Sequence, residues 1–250
     1  MEEVFSSIIT KFEIINKKGY IKGITNNLYN GAGLTFEFLI GKEADSLFFP
    51  NYYGVEIKTT QRFSRHPITL FSLAFDGPDF YEANYLLHTY GKNDNEVFNK
   101  KILIINLQFN NPKKYGNYYF DLGVDYEKMY IYINVYDDNM KLIEKRGYIN
   151  LSKIKERLEV KLRYLSVIYA SKKIKEDNLY FQYYKIECYT LKNFDDFIKA
   201  LVNNKLSITL MLRISRSKEE LGRQQNKNLV FAISKNKINS IFNKIYEFER

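Results

Sequence analysis

What most restricts the fold of this chain is a series of short runs, KKILIINLQF, YYFDLGV, KMYIYINVYD, YLSVIYA, LYFQYYKIECYTL, SITLMLRIS and NLVFAIS, rich in the β-branched and aromatic residues that favour strands. Stretches of helical spacing separate them. Val4, Phe5, Ile8, Ile9, Phe12 and Ile15 recur at helical intervals and stop at Lys17-Lys18-Gly19. LTFEFLIG follows Gly31 and Gly33, is closed by Gly41, and reads as a second helix with Glu37 in its middle. Apolar residues at 151, 154, 158 and 162 make a third helical stripe, and NFDDFIKALVNN, opened by an Asn cap, makes a fourth. YYGVEIKTT alternates like a strand, and HPITLFSLAF is an apolar run able to pair with it. The end of the chain reads strand, basic loop, strand, and then a helix over KINSIFNKIYEF. The class expected is mixed α/β, with an antiparallel sheet over the central runs.

The chain has 250 residues, 45% of them hydrophobic and 27% charged, which excludes wholesale disorder. Its opening residues are acidic and their apolar run is broken by Lys11 and Glu13, unlike a signal peptide, and no run of about 18 apolar residues occurs. Cys188 is the one cysteine, so neither an internal disulfide nor a cysteine-based zinc site can form. A cytoplasmic protein with no membrane partner is the expectation. The net charge of +9 is unevenly spread. Residues 1–150 hold 17 basic and 18 acidic side chains, whereas 151–175 hold 8 and 2 and 205–250 hold 10 and 4. Two stretches of +6 each point to a phosphate-facing surface.

Glu56-Ile57-Lys58, on an expected strand, puts a carboxylate and an ammonium two residues apart and therefore on one face of the pleat. That arrangement suits phosphodiester hydrolysis, because a carboxylate can hold a divalent metal while the lysine positions the attacking water. Pro50-Asn51 stands five residues upstream, where a Pro-Asp pair would complete the PD-(D/E)xK pattern of a large nuclease superfamily. Gly31, Gly33, Thr35 and Glu37 precede it as G-x-G-x-T-x-E, and Thr59-Thr60-Gln61-Arg62 with His66-Pro67 follow.

The string GAGLTFEFLIGKEADSLFFPNYYGVEIKTTQRFSRHPITLFS resembles the catalytic region of the MvaI/BcnI family of type II restriction endonucleases, relatives of the mismatch-repair nickase MutH. LEVKLRYLSVIYASKK, LYFQYYKI, FDDFIKALVNNKLSITLMLRIS and FAISKNKINSIF are similar to its second half, while 91–149 are less so. The resemblance implies a restriction-endonuclease-like catalytic core, with a mixed sheet flanked by helices, and an intertwined DNA-recognition lobe. It assigns 1–95 and about 150–204 to the catalytic lobe and about 96–149 and 205–250 to the recognition lobe. It further implies a Mg2+-dependent enzyme that acts as a monomer on double-stranded DNA, one strand at a time, leaving a 5′-phosphate. A cognate DNA methyltransferase is expected in the host, outside any stable complex. On this resemblance Asn51, Glu56 and Glu37 are the metal-site residues and Lys58 orients the nucleophile. Arg62, His66, Arg213, Arg216, Arg223, Gln224, Gln225 and Lys227 are the candidate DNA contacts.

Two positions depart from the family. Asn51 replaces the metal-binding aspartate and offers one neutral oxygen. It is an introduced replacement, a natural loss of function, or a sign that Asp45 has taken over the role. The loop Gly222–Asn228 replaces a His-Asp-His-Gly stretch that reads bases, so a different target is expected; Arg and Gln remain able to fork onto guanine and adenine. A non-cleaving DNA-binding protein and a repair nickase are the alternatives. His88 is expected to be structural and Cys188 to be a buried thiol.

Overall fold

The computed structural model describes residues 2–42, 49–77 and 81–250, and for 2, 3, 226 and 227 the backbone alone. Asp45 and the side chain of Lys227 lie outside the described residues. In chain order the first elements are α1 (Glu2–Lys17), β1 (Ile21–Lys22), α2 (Gly31–Leu39), β2 (Glu56–Gln61), β3 (Ile68–Leu73), α3 (Tyr81–Tyr90), β4 (Lys92–Asn93) and β5 (Lys101–Leu107). Next come β6 (Lys113–Tyr115), β7 (Tyr118–Asp125), β8 (Tyr130–Tyr136), β9 (Leu142–Asn150), α4 (Leu151–Lys161), β10 (Tyr164–Lys175) and β11 (Asn178–Leu191). The chain closes with α5 (Phe194–Val202), β12 (Leu206–Ile214), β13 (Gln224–Ile233), a 3-10 turn (Lys235–Ser240) and β14 (Phe242–Glu249). No helix among the described residues is long and apolar enough to cross a membrane.

The chain forms two compact units, each made of separate segments. One holds 1–68, 157–193 and 241–250; the other holds 69–156 and 194–240. The lobes expected from the resemblance divide differently, near 95 and 204. Residues 69–95 join the second unit because β3 lies beside β13 in its sheet, and 241–250 join the first because β14 pairs β11.

The first unit is a mixed five-stranded sheet, ordered β1-β11-β10-β2 with β14 also on β11. β2 runs parallel to β10 with Glu56 opposite Leu165, and the other pairs are antiparallel. The helical stripe foreseen in α1 is buried, with Phe5, Ile8, Phe12 and Ile15 in one core with Phe36, Tyr183 and Cys188. Phe36 and Tyr183 have ring centroids 5.0 Å apart, and Phe12 meets Phe248 edge-on at 6.0 Å. Gly31, the first residue of α2, permits close packing: a Cβ on it would lie 3.2 Å from the Phe181 ring. The Tyr183 hydroxyl donates to the Ala32 carbonyl at 2.8 Å, fastening α2 to the sheet.

The second unit contains a sheet ordered β3-β13-β12-β5-β4 and an antiparallel sheet ordered β6-β7-β8-β9. Phe71 stacks on Phe231 at 4.8 Å and approaches Phe197 at 6.4 Å. On β7, Asp121 is buried and accepts hydrogen bonds from the Asn134 amide at 2.8 Å and the Tyr136 hydroxyl at 3.3 Å.

Three local expectations fail for the same reason, that pairing outweighs local preference. HPITLFSLAF does form a strand, but β3 belongs to a sheet without β2, whose partner is β10. KINSIFNKIYEF is a 3-10 turn and then β14, since Phe242, Tyr246 and Phe248 line up against β11. The polar segment 224–228 is not a loop: Gln224 and Gln225 pair with Ile214 and Arg213, and the register slips at Lys227, next to Asn228 with φ of 52°.

Candidate active site

Residue 51 and the Glu-x-Lys strand meet because of a tight turn. Tyr53 (φ 43°) and Gly54 (φ 83°) are both left-handed, as a two-residue hairpin turn requires. Tyr52 and Val55 exchange backbone hydrogen bonds of 3.0 and 2.8 Å, which folds Asn51 back beside the start of β2. The turn is tied to α1, where Ser7 Oγ lies 2.9 Å from the Tyr52 hydroxyl.

Four contacts define what Asn51 does there. Its backbone N–H donates to Glu56 Oε2 at 3.2 Å. Its Oδ1 accepts the Ile57 N–H at 2.7 Å, which fixes the orientation of the amide. Its Nδ2 therefore faces the other way, donating to Glu37 Oε1 at 3.2 Å and the Ile57 carbonyl at 3.4 Å. Helix α2 supplies Glu37, β2 supplies Glu56 and Ile57, and Asn51 stands just before the turn into β2, so the packing of α2 on the sheet positions Glu37.

Glu56 is 2% exposed. Its Oε1 forms an ion pair with Lys58 Nζ at 2.7 Å, which is the same-face geometry expected from the spacing, and another with Lys161 Nζ at 3.7 Å. A buried carboxylate is costly unless paired, and two ammonium groups compensate this one. Sequence reasoning misses Lys161. It ends α4 immediately before β10, and parallel pairing of β10 with β2 brings that end of the helix to Glu56. The one available signal is a basic residue just upstream of a strand, and it has no meaning until that strand's partner is known.

Can this constellation hold a divalent metal? Such an ion asks for converging oxygen ligands, preferably charged. Glu37, Glu56 and the Ile57 carbonyl supply oxygens, but Asn51 presents N–H groups to all three. Among the described residues no group of three or more His, Cys, Asp or Glu side chains is placed to hold a metal ion. As it stands, the set does not fit the ion.

In the same unit, Arg62 and His66 are exposed beyond β2, with the Arg62 guanidinium 5.2 Å from the Tyr184 ring centre. Cys188 is buried 3.4 Å from Ser166 Oγ, and burial pushes its thiol up to about 11. In the second unit, Arg213 is half-buried, with no partner for its Nε among the described residues. Arg216 pairs with buried Asp94 and, at 2.6 Å, with Glu96. Arg223 is 72% exposed and pairs with Glu220, while the Gln224 amide donates to Asn84 Oδ1 at 3.0 Å. Gln225 is half-buried on β13, and exposed His88 gives its carbonyl to Lys101 at 2.6 Å.

The chain resembles restriction endonuclease MvaI in complex with its cognate DNA substrate, at 23% identity over 98% of each chain and a TM-score of 0.89. It also resembles MvaI in the absence of DNA, again at 23% identity over 98% of each chain, with a TM-score of 0.61. No curated protein matches it. A family model matches residues 9–242, the span that holds Glu37, Asn51, Glu56, Lys58 and Lys161, and on that match the chain belongs to the MvaI/BcnI restriction endonuclease family.

Proposed function

We propose that this chain is a type II endonuclease that recognises a specific sequence in duplex DNA as a single copy, presents one strand at a time to the β2 site, and is held back in hydrolysis by Asn51. The observation that carries the reading is the convergence of Glu56, Lys58 and Lys161 with Asn51 and Glu37 in a family of DNA-cutting enzymes. Cleaving a phosphodiester requires an oriented water and fixed positive charge where negative charge grows on the phosphate. Lys58 and Lys161 supply that charge, and Lys58 is the group that can orient the nucleophile. Enzymes of this family generally use divalent metal ions. Magnesium is the ion we assign, and it belongs with a carboxylate at position 51, since a hard cation favours charged oxygen ligands. The product is a 5′-phosphate, and the host's own sites are protected by a methyltransferase that forms no stable complex with this chain. Arg62 and His66 contact the backbone beside the site. Arg213, Arg216, Arg223, Gln224, Gln225 and Lys227 contact the target from the second unit, with Arg223 and Gln225 reading bases.

Cleavage of a mixed-sequence supercoiled plasmid in magnesium tests this. Asn51→Asp is expected to raise the rate by several orders of magnitude, on the order of what metal activation of a nucleophile contributes. In that background Glu56→Ala and Lys58→Ala abolish cutting while leaving DNA affinity in calcium largely intact. Equal inactivity of the unmodified chain and of Asn51→Asp would falsify the role given to position 51. A second reading, DNA binding without cutting, is favoured by the amide facing Glu37, and it predicts specific binding with no plasmid cleavage by either form.

A further inference from the structure

The carboxamide of Asn51 is engaged at both ends. Its NH2 joins Glu37 Oε1 to the Ile57 carbonyl, the two acceptors that a cation at this place would otherwise draw together. Its oxygen is held by the Ile57 N–H at 2.7 Å, so turning the amide over would break one good hydrogen bond and set two oxygens against each other. Among the described residues named here the charges are even. Glu37 and Glu56 are two carboxylates, and Lys58 and Lys161 are two ammonium groups at 2.7 and 3.7 Å from Glu56. With a third carboxylate at 51 the same cluster would carry a net negative charge, and a DNA phosphate approaching it would be repelled until a cation entered.

Resting on the functional reading above, we infer that this chain docks duplex DNA onto the β2 site with no divalent cation, the Asn51 amide serving in the ion's place as the donor that holds the acceptors together. The ligand is the phosphodiester backbone at the target sequence, met by a cluster whose four described charged side chains balance and which is internally hydrogen-bonded. Asn51 is on this account a positioning residue.

The test begins with a randomised duplex pool, from which bound molecules are recovered and sequenced to give one fluorescent target duplex. Its affinity is then measured in EDTA and in calcium at matched ionic strength, for the unmodified chain and for Asn51→Asp. The unmodified chain is expected to bind equally in both. Asn51→Asp is expected to bind about tenfold or more weakly in EDTA and to recover in calcium, as one added charge a few ångströms from a phosphate implies. Thermal unfolding without DNA gives a second measurement: magnesium or calcium leaves the unmodified midpoint unchanged and raises that of Asn51→Asp. A gain in affinity of about tenfold, or a raised midpoint, on adding calcium to the unmodified chain overturns the inference while the functional reading stands. Should Asn51→Asp fail to fold, that unmodified arm alone decides. Absence of any enriched sequence and of any binding, in either condition, overturns the functional reading and the inference with it.

Discussion

Glu56 and Asp121 are both buried carboxylates, and their surroundings set them apart. Glu56 is matched by two ammonium groups, whereas the hydrogen bonds to Asp121 come from a neutral amide and a hydroxyl. Burial pushes the Asp121 carboxyl above its ordinary value, with the hydrogen bonds only partly opposing it. A raised folded value means that the folded chain holds this proton more tightly than the unfolded chain, so stability is lost as pH climbs from the ordinary aspartate range through the raised value. Asp121→Asn keeps an acceptor for Asn134 and Tyr136 and removes the charge. Its unfolding midpoint should exceed that of the unmodified chain at neutral pH, and the gap should close as pH falls toward the ordinary carboxylate range; a lower midpoint throughout would mean that the charge is needed. At this scale the sequence is informative wherever spacing is local. Glu56 and Lys58 follow from the period of a strand, and the departure at 51 follows from its five-residue offset. The meeting of Asn51 with Ile57 depends on a turn whose left-handed residues include Tyr53, a side chain that does not announce such a conformation.

The β10–β11 hairpin shows what a whole element contributes. Its strands are 12 and 14 residues long and turn at Glu176 and Asp177, with φ of 51° and 58°, the left-handed pair that matches strand twist. One end of β10 flanks β2, while the other carries exposed Lys172, Lys173 and Lys175. Lys172→Ala with Lys173→Ala should weaken binding about equally for every DNA sequence and make the dependence on log salt shallower by roughly 0.9 for each phosphate that is no longer neutralised, as read from a salt titration. The start of β13 and the residue before it should behave otherwise. Arg223→Ala or Gln225→Ala is expected to cost about 1–3 kcal/mol on the target duplex and little on random DNA. Equal losses on both would place these side chains on the backbone. The hairpin is legible in the sequence as two strands, and α1, α2, α4 and α5 are legible from apolar spacing. At 224–228 and 241–249 local sequence misleads, because polar or helically spaced residues become the strands β13 and β14 when a long neighbour such as β12 or β11 offers its edge.

Across the whole molecule the chain passes between its two units four times, at 68/69, 156/157, 193/194 and 240/241. The basic excess is divided in the same way, with 157–175 in the first unit and most of 205–250 in the second, so each unit brings its own positive charge to a polyanion. Composition makes that excess visible, but the crossings depend on strand pairings distant in sequence, such as β3 beside β13 and β14 on β11. The pairing of β2 with β10 has a consequence for how the protein is made. A ribosome delivers Glu56 and Lys58 on a strand whose neighbour does not yet exist, and it must then synthesise all of residues 69–156, a large part of the other unit, before β10 emerges. Lys161 arrives in the same interval, and β14 takes its place on β11 later still. The nascent chain therefore holds no assembled centre until well past the middle of its synthesis, when Lys161 and β10 have left the ribosome.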